Sequence, residues 1–202
     1  QKQNLKYGVK VPLVMTNVLL RNGASVNEAG PAQYHCPGSF HSLVTKAPPV
    51  NLGNYKQSGQ GSEPLVLWMA HAPAPRRQPG QTARDVYRLG RHSLYRMPFE
   101  EYESSVKNQL TSMFGSNGFD AERDIGAITV NRWPHGYAYG QNPETGEVAF
   151  VLDEFPYETG AWVQGRKPYG RIAIANSDAA ADAMTESAIG EAHRAVSELM
   201  PS

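Results

Sequence analysis

Cysteine is almost missing from this sequence. The single thiol, Cys36, excludes an intrachain disulfide and any zinc site built on several cysteines, so redox chemistry would need a cofactor. Long apolar runs are missing too: PLVMTNVLL and PLVLWMA fall well short of the ~20 residues that cross a bilayer, and no basic-then-apolar leader opens the chain. A soluble protein with no membrane span is expected, with the compartment left open between cytoplasm and periplasm. Neither sign of charge is in excess, 19 Lys and Arg against 19 Asp and Glu, so no nucleic-acid or polyanion surface is indicated.

Several catalytic signatures are absent as well. No GxSxG elbow exists, since GSF and QSG lack its glycines. The nearest approach to a dinucleotide fingerprint, Gly59-Gln60-Gly61-Ser62-Glu63-Pro64, places proline at the third glycine and precedes its strand instead of following one. The chain therefore supplies no pyrophosphate cradle of that kind. His35 and His41 lie near Cys36, and His71 follows a strand, but these spacings match no metal-ligand motif and the carboxylates are scattered. A lone cysteine is ordinarily an inert buried thiol, which is the reading preferred for Cys36 over a nucleophile paired with His35 or His41.

What is present reads as α+β with a mixed sheet. Over 202 residues the chain can form one large domain or two small ones. The opening QKQNLKYGVKVPLV has the character of a chain interior, so a processed chain or fragment is expected. Val9 to Leu20 predicts a strand, with Pro12 pointing to an edge or a bulge. Residues 21–62, rich in Gly, Pro, Ser and Asn, predict mostly loop with one short strand around Val50 to Tyr55. Leu65 to Ala70 predicts a strand, HAPAPRRQPGQ an irregular link, and Thr82 to Tyr95 a helix.

The next helix is better marked: Pro98 suits its first turn, Phe99, Tyr102, Val106, Leu110 and Met113 share a face, and Gly115 can end it in a left-handed cap. Ile125 to Trp133 and Glu147 to Phe155 predict strands, joined by a link whose QNPETG has hairpin-turn composition. RIAIAN predicts a short buried strand. Thr185 to Leu199 predicts an amphipathic helix with Ala188, Ile189, Ala192, Ala195, Val196 and Leu199 on one side, Thr185 as cap and Glu186 at the positive end of the dipole.

Two stretches carry potential chemistry. In RIAIANSDAAADAMTESAIGEAHRAV, a strand delivers an Asn-Ser-Asp turn, small residues, and then a helix whose first amides lack partners. It reads either as an ordinary strand-loop-helix link or as a place where a ligand meets backbone donors. RWPHGYAYG packs one tryptophan, one histidine and two tyrosines into nine residues, either as core and hairpin lining or as the wall of a site.

The blocks KVPLVMTNVLLRN, GFDAERDIGAITVNRWPHGYAYG and GRIAIANSDAAADA, spread over most of the chain, resemble the flavin-dependent amine oxidases and most specifically their spermidine dehydrogenase branch. The resemblance implies the C-terminal portion of such an enzyme: residues 1–170 as part of a substrate-binding region with flanking helices, and 171–202 as the strand and helix completing a Rossmann-like FAD-binding domain. It implies FAD as cofactor and, as partner, a Rossmann-bearing N-terminal polypeptide from the same precursor or a second chain. It also implies an amine substrate of the polyamine kind, hydride passing from the amine α-carbon to flavin N5 and water hydrolysing the iminium product.

Carried onto this sequence, the resemblance sets Asp178 beside the ribityl and pyrophosphate part of FAD, with Asn176 and Ser177 shaping that turn. Met184, Thr185 and Glu186 form the helix start facing the ring's N1 and O2 edge, and the small Ala188 faces the ring. Met184 stands where many relatives carry a tyrosine, so a two-ring aromatic cage is not expected. Trp133, Tyr137 and Tyr139 become the wall against which an amine packs, and His135 a holder of water or amine. Turnover by this chain alone is not expected. An amino-acid-oxidising relative would need an arginine near the ring, for which Arg132 and Arg171 are candidates. The other class of function is a non-catalytic module that keeps the substrate region for interaction.

Overall fold

The computed structural model describes residues 2–8, 10–57, 59–137 and 160–200. The chain divides into two compact units, one of Gln1–Val11, Ala74–Gly90 and Pro134–Ser202, the other of Pro12–Pro73 and Arg91–Trp133.

The second unit is built on a sheet. In chain order its elements are β1 (Leu13–Leu20), α1 (Ala24–Glu28), β2 (Gln33–His35), β3 (Leu43–Lys46), β4 (Val50–Leu52), β5 (Tyr55–Gln57) and β6 (Leu65–His71). After the second half of α2 (Ala83–Arg96) come α3 (Phe99–Phe114), α4 (Ala121–Asp124) and β7 (Ile125–Trp133). Five strands run in the order β2-β3-β6-β1-β7, and β4 with β5 forms a separate hairpin. Every pairing among the described residues is antiparallel, where a mixed sheet was expected.

β1 lies between β6 and β7, not at an edge; Pro12 stops just short of the strand, where its missing N–H costs no ladder bond, and the irregularity falls at Leu19/Leu20 instead. Alternation along β1 turns Val14, Thr16, Val18 and Leu20 inward and leaves the residues between them on the other face. Leu65, Leu67 and Met69 of β6 continue that layer.

Helix α3 covers this face with Tyr102, Val106, Leu110 and Phe114, a spacing of about one turn that keeps them on one stripe. Phe99, expected on the stripe, is 40% exposed. Pro98 sits one place outside the helix with extended backbone (ψ 163°) as its cap residue. Gly115 stays right-handed at φ −59°, and the left-handed turn comes at Gly118 (φ 83°) after a short 3-10 extension. The expected loop over 21–62 holds α1 and four short strands. β3 is fixed by pairing with β6 and β2 by pairing with β3, while the Val50 to Tyr55 candidate is two strands turning at Gly53 (φ 57°).

The other unit is helical among its described residues. It holds a 3-10 turn at Asn4–Tyr7, the first half of α2, α5 (Ala161–Gly165), α6 (Ser177–Ala180) and α7 (Thr185–Leu199). Helix α2 starts on a reciprocal cap: Thr82 N and Oγ1 donate to Asp85 Oδ2 at 2.9 and 2.7 Å, and Asp85 N donates to Thr82 Oγ1 at 3.2 Å.

Helix α7 has the expected bounds but not the expected burial. Its buried residues are Glu191 and Ala195, whereas Ile189, Val196 and Leu199 are exposed. Glu191 is buried because it is paired: Arg166 Nη1 donates to one carboxylate oxygen and Arg194 Nε to the other, the latter at 2.8 Å, and Arg166 also reaches Ala179 O at 3.0 Å. Thr185 is not the cap; that place falls to Met184, which offers no side-chain acceptor. RIAIAN forms no strand, since its only pairing among the described residues is a bridge between Tyr169 and Ile172, and a strand without a neighbour leaves its backbone groups unmatched. The expected strand Glu147 to Phe155 and the QNPETG turn lie outside the described residues. No helix of the described residues is long and apolar enough to cross a membrane.

Candidate functional site

Parts of the three stretches that carry the resemblance meet in the helical unit. Gly136 N, in the middle of RWPHGYAYG, donates to Val11 O at 2.7 Å, and one residue earlier Lys10 Nζ lies 2.5 Å from Asp178 Oδ1. Lys10 and Val11 thus bring PHG and NSDA to one place. Lys10 was missed because nothing in VKVPLV sets a lysine apart from any solvated cation, and its partner lies almost the whole chain away. Lys10 is 25% exposed and Asp178 50%, so the pair is half open.

The Asn-Ser-Asp turn is strained at both ends. Asn176 has φ 80° and ψ 166°, a region occupied almost only by glycine, and Ala181 has φ 54°. Each such residue costs on the order of 1–3 kcal/mol unless its surroundings hold it. Asn176 Oδ1 accepts from Ser177 N at 2.6 Å, Ala179 N donates to Asn176 O at 2.9 Å, and Asp182 N donates to Ser177 O at 3.2 Å. These bonds fix the turn and project Asp178 from the first turn of α6. Beyond it, Ser187 Oγ donates to Asp182 across the start of α7, while Met184 (55% exposed), Thr185 and Glu186 remain open. Ala188 is half-buried one turn further on. With no side-chain acceptor at Met184, the first α7 amides keep the partial positive charge of a helix start.

His135 and Tyr137 are exposed on this same unit, Tyr139 lies outside the described residues, and Trp133 ends β7 of the other unit. Of the two candidate arginines, Arg132 stands over the Tyr102 ring at 5.1 Å from its centroid, engaged with α3, and Arg171 is exposed. Asn176, Ser177, Asp178, Met184, Thr185, Glu186, Ala188, His135, Tyr137 and Lys10 thus belong to the helical unit, and Trp133 to the sheet unit.

The histidines considered as ligands are employed elsewhere. His41 is fully buried in the sheet unit: its Nε2 is 3.1 Å from Thr16 Oγ1, its backbone N–H donates to Gln109 Oε1 at 3.0 Å, and its carbonyl accepts from Gln109 Nε2 at 2.8 Å. Burial, helped by the neighbouring His71 and opposed by a bond from Gln109, lowers its pKa to about 4. His71 is stacked on Phe40 at 4.1 Å and is also shifted down, mainly by burial. His35 bonds Gln33 at 3.0 Å, and Cys36 is half-buried with its thiol 4.0 Å from the Met113 sulfur. Among the described residues no group of three or more metal-ligating side chains forms.

Fold and site together define an α+β protein with an antiparallel sheet unit and a helical unit, the latter holding a strained, half-open acidic turn and, after it in the chain, a helix start that no side chain caps. No protein-family model matches the sequence, and no curated protein matches it.

Proposed function

We propose that this chain is the C-terminal portion of an FAD-dependent amine dehydrogenase or oxidase acting on a polyamine, completed by a polypeptide that binds the adenosine diphosphate half of the cofactor. The observation that carries the reading is the meeting of Gly136, Lys10 and Asp178, which joins all three of the blocks that resemble the spermidine dehydrogenase branch. The residues fit one end of a flavin and not the whole of FAD. Uncapped α7 amides suit an electron-rich ring edge, and the strained Asn176 turn lets a ligand approach backbone and Asp178 together.

When bound, the flavin would accept the hydride that leaves the amine. The chain's own residues have humbler tasks. Amides at Thr185 and Glu186 would stabilise negative charge at the ring edge. Lys10 would offset the charge of Asp178, which otherwise opposes a neighbouring diphosphate. Tyr137, half exposed, would offer apolar bulk and a cation-attracting face to a polyamine chain. Removing water there would favour the neutral amine that the reaction consumes.

Further support comes from the outward stripe of Ile189, Ala192, Val196 and Leu199 on α7, three of them large apolar side chains, and from Ile172 at 65% exposed. A partner polypeptide would cover them, and RIAIAN would gain a neighbouring strand to pair with. The same stripe favours the second reading, a non-catalytic interaction module. Co-expression with a Rossmann-bearing N-terminal polypeptide tests both: the enzyme reading expects a stoichiometric complex that retains FAD through gel filtration. A stable complex that stays colourless when FAD is supplied leaves only the module.

A further inference from the structure

We propose that Arg76 and Arg77, held by the turn that leads into α2, bind a phosphate-bearing small molecule. Pro79 and Gly80 are the central residues of a turn closed by Gln81 N donating to Gln78 O at 3.1 Å, and Gly80 has the φ of +81° that the second central place of a type II turn demands. Side chains lock this turn. Gln78 N donates to Gln81 Oε1 at 2.9 Å, Gln78 Nε2 to Arg76 O at 3.3 Å, and Arg77 Nε to Gln81 O at 2.6 Å. The last bond fixes the plane of the Arg77 guanidinium through Nε, and the two Nη groups are the pair of donors that meets two oxygens of a phosphate.

Arg76, Arg77, Gln78, Pro79 and Gly80 line a shallow depression that is open to solvent, and none of the five is acidic. The only carboxylate within residues 74–90, Asp85, accepts from Thr82 N and Oγ1 to cap α2, while Arg84 and Arg88 add to the positive charge. A chain of zero net charge thus sets four arginines against one aspartate in this stretch. Two adjacent guanidinium groups on a locked turn, that of Arg77 already oriented by its bond to Gln81 O, favour a multiply charged oxyanion. The proposal is independent of the flavin reading.

Calorimetric titration of the full chain with inorganic pyrophosphate, at ionic strength fixed by chloride, tests it. Saturable binding is expected, weakened by about tenfold or more in Arg76→Gln/Arg77→Gln, weakened less in Arg77→Lys, and unchanged in Lys56→Gln on the other unit. A parallel titration with ADP separates the sources: tighter binding of ADP identifies a nucleotide as the carrier of the phosphate, and equal binding identifies free phosphate species. Absence of saturation, or equal affinity in the double glutamine variant, would overturn the proposal. So would tighter binding of a decaglutamate peptide than of pyrophosphate, lost in the same variant, which would make the turn a face for an acidic protein.

Discussion

Acidification is the sharpest perturbation available to the sheet unit, because its most buried titratable group is held neutral. His41 has no exposed surface, and burial takes its pKa from 6.5 to about 4. Between those values the unfolded chain binds a proton that the folded one does not, so stability is fully present above pH 6.5 and is lost as pH falls toward 4. The difference of two and a half units corresponds to roughly 3 kcal/mol, lost at a slope of about 1.4 kcal/mol per pH unit. His71, stacked on Phe40 and also shifted down by burial, acts in the same direction, and Asp124, lowered by its bond from Arg123, adds its loss only at lower pH. Urea unfolding followed by tryptophan fluorescence at half-unit steps from pH 7.5 to 4.5 measures the slope. His41→Gln, which cannot titrate, should start less stable by about 2 kcal/mol yet lose less on acidification. A wild-type stability that stays flat from pH 6.5 to 4.5, or a variant with the wild-type slope, would refute the reasoning.

Other expectations follow from packing and pairing. Gln109→Leu strips both partners from the His41 backbone inside the core and should cost about 2–4 kcal/mol in urea, more than Gln109→Glu at low pH. Leu110→Ala, in the centre of the α3 stripe, should cost about 2–5 kcal/mol and lower the thermal midpoint. Glu191→Ala leaves Arg166 and Arg194 without their shared carboxylate and should cost about 3–5 kcal/mol, read as faster hydrogen exchange along α7. In a flavin-containing complex, Lys10→Met should slow reduction by amine while leaving the circular dichroism of the complex unchanged, since Lys10 is partly exposed.

The sequence disclosed the long elements and hid the short ones. β7 and α7 have the predicted bounds, and α3 differs by a residue, because each repeats its pattern over several periods. β2, β3, β4 and β5 are three or four residues long, too short for alternation to register, and β3 exists because β6 offers it a ladder. RIAIAN shows the converse: a good strand composition forms no strand where no strand among the described residues pairs with it, and Ile174 O accepts instead from Arg194. In the candidate site, Asp178 and the α7 start were visible as a turn of small polar residues before a helix. The strain at Asn176 was not, because φ belongs to the fold, and Lys10 was not, because the ion pair is set by tertiary placement alone.

The central claim is that Lys10, Gly136, Asp178 and the α7 start form one end of a flavin site for amines. Its most direct measurement is the visible spectrum of the co-expressed complex before and after anaerobic addition of spermidine. The account predicts loss of the oxidised flavin band with one amine oxidised per flavin, much slowed in Asp178→Ala. A flavin band that spermidine and other amines leave unchanged, or bleaching that proceeds at the same rate in Asp178→Ala, would contradict it.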